Sequence, residues 1–149
     1  MSKLLRLKVI TPEKLVFEEL VDSVTLPTKN GEITILPDHI SLISELASGD
    51  IVASIAGEHS PLAVVGGFIE VKNNNDTHQT EVIILADFAE HVSGMTDDII
   101  QKAKEKAEEL QNQAKNMEVV DFEHFETELE RNLTRVKISD KWKNKKYRK

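Results

Sequence analysis

Gly31-Glu32-Ile33-Thr34-Ile35-Leu36-Pro37-Asp38-His39-Ile40-Ser41-Leu42 decides the fold of this 149-residue chain. From Glu32 to Leu36 the apolar residues recur with a period near two, the spacing of a half-buried strand. Asn30-Gly31 before the run and Pro37-Asp38 after it carry turn chemistry, since glycine accepts positive φ and proline cannot donate to a ladder. Working outward, Leu5, Leu7 and Val9 alternate with Arg6 and Lys8, and Val82-Ile83-Ile84-Leu85 is an apolar run of the fully buried kind. Thr11-Pro12, Pro27, Ser48-Gly49-Asp50, Gly57, Ser60-Pro61 and Asn73-Asn74-Asn75-Asp76 separate the runs. Turns at such short intervals, with no helix between them, predict an antiparallel sandwich or barrel up to about Asp87.

From Thr96 onward glycine and proline are absent and the period becomes helical. Thr96 is placed to cap a helix, and Asp97 and Asp98 suit the positive end of its dipole. Ile100, Ala103, Ala107, Leu110, Ala114 and Met117 then fall on one face. A second helix is predicted with Asp121 as cap and Phe122, Phe125, Leu129, Leu133 and Val136 as its stripe. The short link from Asn116 to Val120 makes the two helices antiparallel neighbours. Half of the first stripe is alanine, which removes little apolar surface from water. At ~0.8 kcal/mol per buried CH₂ against ~1.5 kcal/mol of entropy per ordered residue, such a hairpin is near balance alone and is expected to be detachable, able to rest on the sandwich or to open.

Composition narrows the function classes. The chain has no cysteine, which excludes disulfides, thiolate chemistry and cysteine zinc sites. Its N-terminus interrupts apolar residues with charge, unlike a secretion signal, and no run approaches the ~18 apolar residues of a spanning helix. The formal net charge is −7. Lys141, Lys143, Lys145, Lys146, Arg148 and Lys149 are all basic and no acid accompanies them, so the first 140 residues are more acidic than the whole. Phosphate backbones repel such a body, and no nucleic-acid partner is expected. The tail, with Trp142 and Tyr147 interleaved, reads as a solvated C-terminus.

Catalytic patterns are not found. His39, His59, His78, His91 and His124 are scattered without metal-ligand spacing. Gly66-Gly67 lacks the further glycines and following helix of a phosphate loop and reads as a bulge or close backbone approach. No serine sits in a nucleophile elbow. The residues describe a protein that binds rather than reacts, so no catalytic residue and no metal is expected.

Three segments, the stretch from Gly31 to Leu42, then Val65-Gly66-Gly67-Phe68-Ile69-Glu70-Val71, then Ile84-Leu85-Ala86-Asp87, occur in one order and are followed by a helical tail. In that order they resemble the epsilon subunit of F-type, proton-translocating ATP synthases, over residues 3 to 139. The resemblance implies an α+β fold: an N-terminal antiparallel β-sandwich in residues 1–91, an antiparallel two-helix hairpin in 92–140, and the basic tail 141–149. It implies a non-catalytic rotor subunit of the central stalk, joining the gamma subunit to the c-ring. Glu32, Pro37, Asp38 and His39 fall on the ring-facing loop, with Asp38 where most members have glycine. Phe68, Ile69 and Val71 fall on the gamma-binding part of the sheet.

The hairpin is implied to be a regulatory arm. Extended, it enters the catalytic head, where Arg131, Arg135 and Lys137 face an acidic loop of the beta subunit beside alpha, and it restrains ATP hydrolysis. Many bacterial members bind ATP at the arm through an Ile/Leu-Asp-x-x-Arg-Ala motif. Here that motif falls on Met95 to Ile100, with Thr96 in place of the aspartate and Ile99 in place of the arginine, so no cofactor is expected. The implied location is peripheral, on the cytoplasmic face of a bacterial plasma membrane, with the membrane reached only through the complex. A different class of function is a nucleotide- or ligand-sensing sandwich over which the arm closes.

Overall fold

The computed structural model describes residues 3–115 and 122–148. Eight strands come first: β1 Leu5–Ile10, β2 Leu15–Val21, β3 Ser23–Thr28, β4 Gly31–Ile35, β5 Leu42–Glu45, β6 Gly49–Ile55, β7 Glu58–Asn73 and β8 Thr80–His91. A single 3-10 turn, Val92–Gly94, leads to α1 Asp97–Ala114 and then α2 Phe122–Trp142. Strands run in the order β2-β1-β8-β7-β6-β3-β4, with β5 on the free side of β7. Every described strand pair is antiparallel except β1 with β8, which run parallel. A parallel pair requires a long crossover, and here β2 through β7 provide it.

The two longest strands make this curled sheet into a sandwich. In β7, Leu62 and Val64 point into the core before Gly66, whereas Ile69 and Val71 do so after Gly67. In β8, Val82, Ile84 and Ala86 point inward, and then Ala89. Both strands therefore change inward face at the same level, where Gly67 pairs with Ala86. Gly66 and Gly67 have φ of +59° and +119°, conformations open to glycine. A Cβ on Gly67 would overlap the Leu85 carbonyl oxygen, and one on Gly66 would lie 2.6 Å from Asp87 Oδ2. The glycine pair is thus the point where β7 and β8 pass together from one layer to the other.

Between the layers lie Leu5, Leu7, Val9, Val24, Leu26, Ile35, Leu46, Ile51, Leu62, Ile69 and Ile84, all fully buried. The outer face of β6 and the first half of β7 is covered by α2, and α1 packs on α2. Ala63, Val92, Ile138 and Trp142 form a second small core there.

Thr96 caps α1, its side chain accepting from the Ile99 N–H at 3.3 Å. Ile100, Ala103, Ala107 and Leu110 are buried as the period predicts, while Ala114 is exposed. Met117, the Asn116–Val120 link, the Asp121 cap, the Phe122 side chain and Lys149 lie outside the described residues. In α2 the buried face differs from the predicted stripe. Phe125 is buried, but it is followed by Asn132, Thr134, Ile138 and Trp142, and Leu133 is 42% exposed. Helical periodicity finds a stripe but not which side chains a polar neighbour will draw inward. Here Arg135 reaches Glu90, and Asn132 is satisfied by the Glu128 carbonyl at 2.9 Å and by Arg135 at 3.3 Å.

The tail also differs from its solvated expectation. Lys141 and Trp142 complete α2, and the chain then folds back until the Arg148 N–H donates to the His59 carbonyl at 2.7 Å. Trp142 is 5% exposed and meets the Tyr147 ring edge-on at 6.0 Å. Interleaved aromatics therefore give the basic segment an apolar anchor that its charge count conceals.

Candidate functional site

The second layer leaves one face uncovered. Phe68 of β7 lies opposite Leu85 of β8, Leu85 opposite Ile10 of β1, and Ile10 opposite Leu15 of β2. Phe68, Leu85 and Leu15 are each more than half exposed. The result is an apolar row across four strands. Beside it runs a charged row, in which Glu70, Ile83, Lys8 and Glu18 are successive partners. Lys8 Nζ lies 3.8 Å from Glu18, and Lys72 bridges Glu70 and Glu81 at 4.0 and 3.9 Å. An apolar centre with a charged rim is the anatomy of a protein interface.

The resemblance implies Phe68, Ile69 and Val71 at such an interface, but alternation divides them. Phe68 is on the open face, whereas Ile69 and Val71, at 0% and 1% exposure, are core. Leu85 and Leu15 were missed. The apolar run Val82 to Leu85 hides the period, which alternates inward Val82 and Ile84 with half-buried Ile83 and exposed Leu85. Pairing Leu85 with Phe68 by register is the signal that finds it.

A second surface is the loop between β4 and β5. Asp38 has a φ of +69°, the left-handed region that favours glycine, the residue that the resemblance implies at this position. Two polar side chains hold it there. The Asp38 N–H donates to Thr80 Oγ1 at 2.8 Å, and that fully buried hydroxyl donates to Asn73 Oδ1 at 2.7 Å. Asn73 Nδ2 donates in turn to the His39 carbonyl at 2.8 Å. Lys3 pairs with Asp38 at 2.6 Å, and Leu36 and Ile40 project into solvent on either side. Pro37, Asp38 and His39 are thus one surface. Glu32 is not part of it, because it sits at the other end of β4, opposite Pro27.

The third surface joins arm and sandwich. Arg135 Nε donates to Glu90 Oε2 at 2.8 Å, and its guanidinium lies 4.8 Å from the Phe88 ring centre. Arg131 stacks on the same ring at 5.5 Å and donates to the Asp87 carbonyl at 3.4 Å, while its buried Nε has no hydrogen-bond partner. The two arginines are therefore brought together on β8. Lys137 is exposed and lines a different groove with Ser48, Leu129 and Leu133. Between the helices, Lys102, Lys106, Arg131, Arg135, Glu90 and Glu128 line a further groove, with Ile99 rather than a cation at its edge. Lys106 is 3.8 Å from Glu128.

No helix among the described residues is long and apolar enough to cross a membrane, and no group of three metal-ligating side chains is found among them. The molecule belongs to the class of β-sandwich proteins that carry a helical hairpin arm and offer interface-like faces. Residues 4–92 match the family described as ATP synthase, Delta/Epsilon chain, beta-sandwich domain. The chain is 36% identical over 140 residues to the ATP synthase epsilon chain of Desulforamulus reducens, covering 94% of this chain and 100% of the relative. It is 38% identical over 138 residues to that of Nitratidesulfovibrio vulgaris strain DP4, covering 93% and 97%. The chain belongs to the ATP synthase epsilon chain family.

Among solved structures, a chain of the Euglena gracilis mitochondrial ATP synthase (OSCP/F1/c-ring, rotational state 1) superposes with a TM-score of 0.63 at 23% identity, covering 85% of this chain and 76% of that one. A chain of the Tetrahymena thermophila mitochondrial ATP synthase central stalk and c-ring gives 0.51 at 14%, covering 92% and 94%. At these identities the likeness is one of fold.

Proposed function

We propose that this chain is a non-catalytic rotor subunit that joins the gamma subunit to the c-ring and restrains ATP hydrolysis through its helical arm. The observation that carries this reading is the apolar row Phe68, Leu85, Ile10 and Leu15, of which all but the half-buried Ile10 are more than half exposed, with a charged row beside it. Gamma is its occupant. The loop of Pro37, Asp38 and His39 meets the ring, with Glu32 a separate polar contact at the other end of β4. Through that contact the protein sits at the cytoplasmic face of a bacterial plasma membrane without entering it.

The arm acts as a brake because its docked contacts are reversible. Arg131 and Arg135 rest on Phe88 and Glu90 by partly exposed, polar contacts, and one buried Arg131 N–H is unpaired, which costs about 1–3 kcal/mol. Released, the same arginines and Lys137 meet carboxylates of the beta subunit beside alpha. A nucleotide-sensing reading has the cationic groove between the helices in its favour, but Arg135 and Lys106 are already committed to Glu90 and Glu128.

The test is ATP hydrolysis by a catalytic head with gamma, compared with no addition, with the full chain, and with a chain ending at His91. Both chains are expected to bind gamma, and only the full chain to slow hydrolysis. Equal slowing by both would remove the brake from the arm, and failure of both to bind gamma would remove the rotor assignment.

A further inference from the structure

The segment after the hairpin makes contacts that the rotor reading does not use. Trp142 Nε1 donates to Asp50 Oδ2 at 2.9 Å, and Lys141 Nζ donates to Asp50 Oδ1 at 3.0 Å. Asp50 is on the outer face of β6 and only 8% exposed. The indole itself fills the small core of Ala63, Val92 and Ile138, with the Tyr147 ring nearly perpendicular to it and Lys145 over it at 5.3 Å. Farther on, the Arg148 backbone is tied to His59 of β7, and its guanidinium grips Glu19 of β2 through both Nη atoms, one of them at 3.0 Å. Bidentate arginine–carboxylate pairing of this kind fixes geometry as well as charge. A stretch of eight residues thus reaches from β6 across β7 to β2, the edge strand of the other layer.

We propose that residues 141–148 are a latch that holds the arm docked on the sandwich, fastened at Asp50 and at Glu19, and that releasing it is the first step of arm opening. The proposal rests on the mobile-arm reading above. Its logic follows from position. Neither α1 nor α2 offers a large apolar face to the sheet: α2 buries Asn132 and Thr134 and holds β8 by arginines. Trp142 is the largest apolar side chain by which α2 is anchored, and it lies at the helix end, where a helix frays unless tied. Arg148 ties the segment beyond it. When the latch leaves, Asp50 and Glu19 return to water as ordinary surface carboxylates, so undocking strands no buried charge and the latch can close again.

Amide hydrogen exchange of the full chain tests this, because it reports opening of each element separately. In the unaltered protein, amides of α1 and α2 are expected to exchange faster than those of β1 and β8. Arg148→Ala is expected to speed arm exchange roughly fivefold and Asp50→Ala roughly tenfold or more, with β1 and β8 unchanged. The charge swap Glu19→Arg with Arg148→Glu is expected to return the arm to within about twofold of its original rate. Arm exchange unaltered in both single variants, or unrestored by the swap, overturns the latch. Equal acceleration of arm and sandwich overturns it too, since the ties then hold the whole fold. Arm amides that open only together with β1 and β8 in the unaltered chain overturn the mobile arm itself, which is a distinct result.

Discussion

Arg135 donates from Nε to Glu90 at 2.8 Å while its guanidinium covers Phe88, so the cation that the proposed function sends to the catalytic head is paired here with the protein's own β8. Removing the acid while keeping its shape separates the two uses of that charge. Glu90→Gln is expected to weaken docking by about 1 kcal/mol and to strengthen inhibition in the head–gamma hydrolysis assay. Arg135→Ala loses both contacts and is expected to weaken inhibition. Equal responses from the two variants would contradict an arginine that alternates between partners.

Gly67 tolerates no side chain. Its φ of +119° and the Leu85 carbonyl in the space a Cβ would take add conformational strain to a backbone clash. Gly67→Ala is expected to destabilise the sandwich by at least about 3 kcal/mol, read as a lower urea midpoint. Gly57→Ala, at a positive φ with nothing nearby, is expected to cost about 1–2 kcal/mol.

Phe68 and Ile69 are sequence neighbours with opposite duties. Phe68→Glu is expected to leave the unfolding midpoint nearly unchanged and to weaken gamma binding at least tenfold, measured by calorimetry, as an anchor of an apolar row should. Ile69→Ala is expected to cost about 2–5 kcal/mol of stability. The reverse pattern would place the interface on the wrong side of β7.

Thr80 supports the β4–β5 loop from beneath. Thr80→Val keeps its shape but removes the acceptor for the Asp38 N–H and the donor to Asn73. A loss of about 1–3 kcal/mol is expected, with faster amide exchange confined to residues near 37–40 as the local signature.

Glu19 gives the docked tail a pH dependence. Its hydrogen bond from Arg148 is the main cause that holds the carboxyl below the ordinary glutamate value; burial opposes this, and the charges of Arg148 and His91 add to the lowering. A depressed carboxylate contributes stability above its unfolded pKa and loses it as pH falls through the folded value. Trp142 is the chain's only tryptophan, so its emission reports tail docking. At neutral pH Glu19→Gln is expected to shift that emission to longer wavelength relative to the unaltered chain. The difference should vanish once acid has protonated Glu19.

Much of this architecture was legible in the sequence because its signals are local. Period-two runs marked β1 and β4, the apolar run Val82–Leu85 marked β8, Thr96 gave the α1 cap, and the Ile100–Leu110 stripe gave the buried face of that helix. The resemblance supplied the sandwich and the family. What local pattern could not carry was pairing between distant segments. The parallel β1–β8 contact, the row that sets Phe68 beside Leu85, Ile10 and Leu15, and the Arg148–Glu19 tie each join residues far apart in the chain. The α2 face was misjudged for a related reason: leucine spacing predicts a stripe, but Glu90 and Asp50 on the sheet hold Arg135 and Trp142 against it, and Leu133 is turned out.

The simultaneous change of face in β7 and β8 gives the sandwich a mechanical character. The strand pair that presents Phe68 and Leu85 keeps the same register in the half that bears Phe88 and Glu90, on the far side of Gly66 and Asp87, which do not pair. A displacement of the open face is therefore carried toward the arm's seat by the backbone of the same two strands, through the glycine pair where their ladder is interrupted. The glycine pair thus sits midway on the line that joins the Phe68 face to the strand segment on which Arg131 and Arg135 rest.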